Sequence, residues 1–204
     1  AAVELKRGYI HASAKRLTGA HINFEVSSVG ATGNVMMAAS LAKGTTLIEN
    51  AAIEPEITQL AEFLRSMAAR MSGIGTNRVE IEGVDELHPA DIETIPDRIE
   101  AGTFLVAAAI TGGTVTLQRV IPGHISALMA RLQDAGCVVR VGPDSVTLSC
   151  PDGIKPVDVT ASIYPGFPTD MQAQWIALMA IASGTSIVTD SIYLDRFKHV
   201  PELI

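Results

Sequence analysis

Asp170 stands at the end of Tyr164-Pro165-Gly166-Phe167-Pro168-Thr169 and opens the apolar run that continues through Leu178 and Ile181. Two prolines hold φ near their own value and Gly166 relaxes the chain between them, so the stretch reads as a rigid turn entering a helix. Thr169 or Asp170 can cap that helix. A carboxylate oriented by backbone can also accept a hydroxyl proton from a substrate or hold that hydroxyl in place, and efficient base chemistry then requires partial burial. A plain capping aspartate shows the same local pattern, so the surroundings must separate the two.

Two further turns precede apolar helices in the same way. Ser27-Ser28-Val29-Gly30-Ala31-Thr32-Gly33-Asn34 offers hydroxyls and backbone N–H groups at a helix start, where a phosphate or diphosphate can sit, or where small residues simply cap. Pro96-Asp97-Arg98 brings together a carboxylate and a guanidinium that can pair with one another or with a ligand. Arg196 can bind a carboxylate or phosphate bidentately, or form a salt bridge with Asp195 or Glu202. Glu54 and Glu56 flank Pro55 and can cap a helix by charge alone. His199 lies near Arg196, and His11, His21, His88 and His124 have no metal-ligand spacing, so no metal site is expected. Cys137 and Cys150 read as isolated thiols, one a small buried hydrophobe and the other the end of a strand, which fits a reducing compartment.

The elements that must hold these residues repeat. Val3 to Lys6, Tyr9 to Ala14 and His21 to Val26 read as strands; Val35 to Ala42 reads as a buried helix closed by Gly44, and Thr45 to Glu49 as a strand. A second helix opens at Pro55, with Ile57, Leu60, Ala61, Leu64 and Met67 on one face, and Arg78 to Glu82 returns as a strand. The order recurs from Asp91 to Ile95 (strand) through Phe104 to Ile110 (helix), Thr114 to Leu117, Ile125 to Leu132, Cys137 to Val141 and Val146 to Ser149. It starts a third time with Val157 to Thr160, a helix from Asp170 to Ala182 and Thr185 to Thr189. Gly44-Thr45, Gly113-Thr114 and Gly184-Thr185 mark the register about every 70 residues. Each unit reads β-α-β-α-β-β, its first helix apolar on all sides and its second with a polar outer face. The polar stretch from Gly83 to Ile95 places a domain boundary near residue 95 and a cleft beside Pro96-Asp97-Arg98.

Composition limits the function classes. Fifteen Lys and Arg against 22 Asp and Glu give a net charge of −7, which disfavours a general nucleic-acid binder, and 4% aromatics leave few stacking platforms. Apolar residues at 48% with only 18% charged describe a folded chain with much surface to bury. Nothing reads as membrane-spanning, since glycine breaks the apolar helices well before about 18 residues. The start at Ala1 and the stop at Ile204 suggest an excerpt of a longer polypeptide. No Gly-x-Gly-x-x-Gly and no Gly-x-x-x-x-Gly-Lys motif is present. Two classes stay open: an enzyme acting on a phosphorylated, hydroxyl-bearing substrate, and a binding or scaffold protein whose turns only cap helices.

Five motifs in order resemble the UDP-N-acetylglucosamine 1-carboxyvinyltransferase family of enolpyruvyl transferases: Ser28-Val29-Gly30-Ala31-Thr32, Ile48 to Ile57, Ile95 to Thr103, Phe167 to Gln174 and Arg196 to Leu203. The resemblance implies an inside-out α/β barrel of repeated βαβαββ units, of which this chain supplies about half. Residues 1–95 would be the end of the sugar-nucleotide-side domain, about one and a half units, and 96–204 part of the second domain. It implies transfer of the enolpyruvyl group of phosphoenolpyruvate to the 3-hydroxyl of UDP-N-acetylglucosamine with release of phosphate. This is the first step of peptidoglycan precursor synthesis, in a bacterial cytoplasm, without cofactor or metal. By the same resemblance Ser28, Val29 and Gly30 contact the diphosphate, Asp170 touches the 3-hydroxyl and is its candidate base, and Ile192 lines the pocket. Arg196 organises the site, Asp97 and Arg98 match the interdomain crossing, and Glu54 and Glu56 match an acidic turn near the cleft. The remaining partner implied is the rest of the polypeptide. The family's loop cysteine, early lysine and asparagine, and later arginines lie outside this stretch, so these 204 residues alone are expected not to turn over. The chain carries Gly33 and Leu194 where the family commonly carries glutamate. The related 3-phosphoshikimate 1-carboxyvinyltransferase is the nearest alternative.

Overall fold

Alternating helices and strands build an α/β chain in which the computed structural model describes residues 2–203. The chain divides into two compact units, Ala1–Ile95 and Pro96–Ile204, each with its own apolar core.

The first unit begins with an exposed antiparallel hairpin, β1 (Ala2–Lys6) and β2 (Tyr9–Ser13). Its sheet runs in the order β3 (His21–Asn23), β4 (Thr45–Glu49), β6 (Arg78–Glu82), β5 (Arg70–Ser72), with β3 parallel to β4 and the other pairs antiparallel. Helices α1 (Val29–Ala39) and α2 (Pro55–Ser66) connect these strands. Strict alternation in Arg78-Val79-Glu80-Ile81-Glu82 puts Val79 and Ile81 inside and the charges outside. They meet Met36, Ile48, Ile57 and Leu64 from the other elements.

The second unit repeats part of this plan. Strands β7 (Thr114–Gln118), β9 (Ser145–Ser149) and β8 (Val138–Val141) form an antiparallel sheet ordered like β4-β6-β5. Strands β10 (Val159–Ala161) and β11 (Val188–Asp190) pair in parallel, as β3 and β4 do. Helices α3 (Arg98–Ile110), α4 (Ser126–Asp134) and α5 (Gln172–Met179) pack over a core containing Leu105, Leu128, Leu132, Leu148 and Trp175. Each fully buried leucine contributes about 1.5–3 kcal/mol relative to an exposed one. Every described sheet is open, with two to four strands.

Several sequence expectations shift. The strand expected over His21 to Val26 stops at Asn23, and α1 starts at Val29 rather than Val35. Gly33 lies inside α1, where a Cβ would come within 3.3 Å of Leu60, so a small residue is what lets α1 approach α2. Asp91 to Ile95 is irregular rather than a strand, and α3 starts at Arg98 rather than Phe104 because Asp97 caps it. The helix expected over Asp170 to Ala182 is a 3-10 turn, Thr169–Met171, followed by α5 ending at Met179. The first helices are not buried on all sides: Val29, Met37 and Phe104 are 42%, 47% and 54% exposed, leaving an apolar face uncovered by the described residues. The cysteines are not isolated. Register of β8 on β9 sets Val138 opposite Ser149, so Cys137 and Cys150 lie abreast, both buried, with their Sγ atoms 2.8 Å apart.

Candidate active site

The turn before α5 is fixed on both sides of Asp170. The Tyr164–Pro165 peptide is cis, the Gly166 amide donates to the Ile163 carbonyl, and the Ser162 amide donates to the Phe167 carbonyl. At Gly166 a Cβ would collide with the Ser162 hydroxyl, so no larger residue fits the bend. Phe167 is buried edge-on against Trp175, with ring centroids 5.5 Å apart. Met171 is fully buried beside Gly102, where a Cβ would come within 3.0 Å of its sulfur. Thr169 donates its hydroxyl to Asp190 Oδ2 at 2.5 Å.

Between these anchors the Asp170 side chain faces solvent and meets Arg196. Arg196 Nη2 lies 2.7 Å from Asp170 Oδ1, and Nη1 donates to Thr169 Oγ1 at 3.2 Å. The guanidinium also sits over the Tyr193 ring at 5.5 Å. Asp170 does not cap its helix: neither the 3-10 turn nor α5 has a side-chain cap. The expected partial burial is also absent, for the two ion-paired side chains are 51% and 41% exposed. A pair this exposed adds only about 0–1 kcal/mol to stability, so the fold does not depend on it. A small hollow behind the turn is lined by Arg98, His124, Leu128, Pro165, Pro168 and Met171, and not by Asp170.

Asp190, which sequence reasoning missed, is 5% exposed and accepts the Ile192 and Tyr193 amides on Oδ1 at 2.8 and 2.9 Å. Burial works against its charge, but the Thr169 hydroxyl, the Tyr193 and Ile192 amides and the nearby Arg196 outweigh that and hold its carboxyl below the usual range. An acid at the end of a strand and before a tight turn was the available signal; its tie to Thr169, 21 residues away, was not. Half-buried Ile192 lies on the same loop. His199 Nε2 is enclosed without a hydrogen-bond partner among the described residues.

The other expected site residues fall as follows. Ser28 caps α1, its hydroxyl accepting the Ala31 amide at 3.3 Å; Val29 and Gly30 form the exposed first turn, their amides unpaired among the described residues. Thr32, also missed, is fully buried and accepts the Ala52 amide at 3.0 Å. Asp97 Oδ1 accepts the Ile99 and Glu100 amides at 2.7 and 3.2 Å, which makes it the α3 cap, while Arg98 lies 5.4 Å from the centre of the Tyr164 ring. Glu54 precedes α2 without a side-chain capping bond, and Glu56 lies in its first turn. No described helix is long and apolar enough to cross a membrane.

The family model for EPSP synthase (3-phosphoshikimate 1-carboxyvinyltransferase) matches residues 1–204. The chain is 54% identical over 205 residues to the UDP-N-acetylglucosamine 1-carboxyvinyltransferase of Chlorobium chlorochromatii, covering 100% of this chain and 48% of that protein. It is 56% identical over 203 residues to the protein of the same name from Chloroherpeton thalassium, covering 98% and 47%. The chain thus spans about half the length of the curated relatives it matches. Among solved structures, the enolpyruvyl transferase NikO from Streptomyces tendae superposes with a TM-score of 0.83 at 26% identity, over 98% of this chain and 51% of that one. EPSP synthase from Acinetobacter baumannii superposes at 0.61 and 21% identity, over 95% and 46%, a likeness of fold alone.

Proposed function

This chain belongs to the EPSP synthase (3-phosphoshikimate 1-carboxyvinyltransferase) family, and from that premise we propose that its protein moves the enolpyruvyl group of phosphoenolpyruvate to the 3-hydroxyl of UDP-N-acetylglucosamine. Asp170 takes the hydroxyl proton as the sugar oxygen bonds to C2 of phosphoenolpyruvate and its double bond takes up a proton at C3; the tetrahedral intermediate then loses a proton from C3 and phosphate from C2, which restores the double bond. The observation that carries the reading is the Asp170 carboxylate itself, held out by an anchored turn and engaged by Arg196 instead of capping its helix. Positioned charges of this kind suit addition to an enol ether and loss of phosphate. The sugar nucleotide is preferred to shikimate 3-phosphate because relatives above 50% identity carry the former name.

In this reading the unpaired Val29 and Gly30 amides, with Ser28, hold the diphosphate at the positive end of α1. Ile192 lines the sugar nucleotide pocket; Arg98 with Asp97, and Glu54 with Glu56, support it. Residues 1–95 belong to the sugar-nucleotide-side domain and 96–204 to the second. The repeats complete an inside-out α/β barrel together with the rest of the polypeptide. The activity serves peptidoglycan precursor synthesis, and with it cell-wall biogenesis, cell shape and division, in a bacterial cytoplasm.

The test is phosphate release by the full-length protein given UDP-N-acetylglucosamine and phosphoenolpyruvate, with shikimate 3-phosphate as competitor. The reading predicts release that requires the sugar nucleotide and resists the competitor. Release that requires shikimate 3-phosphate, or saturable binding of neither acceptor, overturns it.

A further inference from the structure

We propose that Asp190 is a positioning residue for the transfer assigned above, setting through Thr169 and Arg196 the direction in which Asp170 faces; the role rests on that reading.

A buried carboxylate is tolerated only when its oxygens are hydrogen-bonded, and Asp190 spends its two oxygens on different loops. Oδ1 gathers the Ile192 and Tyr193 amides and shapes the loop that leads to Arg196. Oδ2 takes the hydroxyl proton of Thr169, the residue before Asp170. A carboxylate that merely closed the turn after β11 would need Oδ1 alone. With its proton committed, Thr169 presents lone pairs to Arg196 Nη1, and the planar guanidinium then sets Nη2 against Asp170. Ser191 adds a clamp from the same loop, its hydroxyl donating to the Ala161 carbonyl at 2.6 Å. The order of constraint therefore runs from buried Asp190 to exposed Asp170.

The experiment compares Asp190→Asn, Thr169→Val, Thr169→Ser and the double variant Asp190→Asn/Thr169→Val in the full-length protein, by steady-state phosphate release. Asparagine can still accept the two amides, but its NH2 meets Thr169 as a donor and removes the acceptor for the hydroxyl proton. Misdirecting a reacting group lowers turnover, so kcat should fall about tenfold or more in Asp190→Asn and Thr169→Val, with KM for UDP-N-acetylglucosamine changing less than about twofold. Thr169→Ser should recover most of what Thr169→Val loses. The double variant should be no slower than the slower single one, because both act through one chain of bonds. Wild-type kcat in folded Asp190→Asn, or losses that multiply in the double variant, overturns the role. If Asp190→Asn does not fold, equal activity of Thr169→Val and Thr169→Ser overturns it. A wild-type protein that transfers nothing removes the function proposed above and this role with it, an outcome distinct from an active wild type with indifferent variants.

Discussion

Replacing Thr32 by valine isolates one buried hydrogen bond beneath the turn that begins α1. Threonine and valine share a shape and nearly the same helix propensity, so the change opens no cavity and leaves the helix term near zero. What it removes is the hydrogen-bond acceptor of the Ala52 amide among the described residues: that amide donates to Thr32 Oγ1 at 3.0 Å from a residue 2% exposed. A buried donor left without an acceptor costs about 1–3 kcal/mol. That corresponds to roughly a 5- to 150-fold loss of protection for the Ala52 amide, read by hydrogen exchange under native conditions. Trp175, the single tryptophan, lies in the second unit, so its fluorescence does not follow this change and exchange is the suitable assay. Thr32→Ser keeps the hydroxyl and should leave the Ala52 amide protected. Wild-type protection of Ala52 in Thr32→Val would refute the reasoning.

Trp175→Ala should destabilise the second unit by about 3–5 kcal/mol, since the ring is fully buried against Phe167; a urea melt followed by circular dichroism checks it. The Cys137 thiol is pushed up to about 12 by burial and by Cys150, so the folded chain keeps a proton that the unfolded chain releases at lower pH. That stability is complete below the ordinary thiol value and disappears as pH rises through about 12; melting temperatures should decline on the alkaline side, and Cys137→Ala should flatten the decline. Asp190 has the opposite sign: its lowered carboxyl stabilises the fold above the ordinary carboxylate range, and that is lost as pH falls through the folded value. Acid melts of Asp190→Asn should show a shallower slope than those of the wild type.

Strand positions were legible where the signal is local. Local pattern gave Thr45 to Glu49 and Arg78 to Glu82 to the residue, while the alternation of His21 to Val26 held only to Asn23; Gly44-Thr45 and Gly113-Thr114 each fall where a strand begins, whereas β11 begins at Val188, beyond Gly184-Thr185. The start of α2 at Pro55 was legible as well, but those of α1 and α3 were not, because Gly30, Gly33 and Gly102 weaken any local reading of helix. Packing overrides that propensity: Gly33 lies against Leu60 and Gly102 against Leu128 and Met171. The cysteine neighbours were hidden for a related reason, since only the register of two strands brings residues 137 and 150 abreast. Within the site, the turn at Asp170 was readable from its prolines and glycine. Its partners Thr169, Asp190 and Arg196 form a set only in three dimensions, because their bonds span 21 and 27 residues. Asp97 looked like half of an ion pair and is a helix cap, a distinction that φ, ψ and two amide distances make and residue type does not.

Substituting Asp170 by asparagine and measuring phosphate release from UDP-N-acetylglucosamine and phosphoenolpyruvate tests the central claim most directly. The side chain is half exposed, so the variant should fold like the wild type, and sugar nucleotide binding should persist. Removing a general base should lower kcat by about 100-fold or more. A folded Asp170→Asn protein that turns over at the wild-type rate would contradict the account.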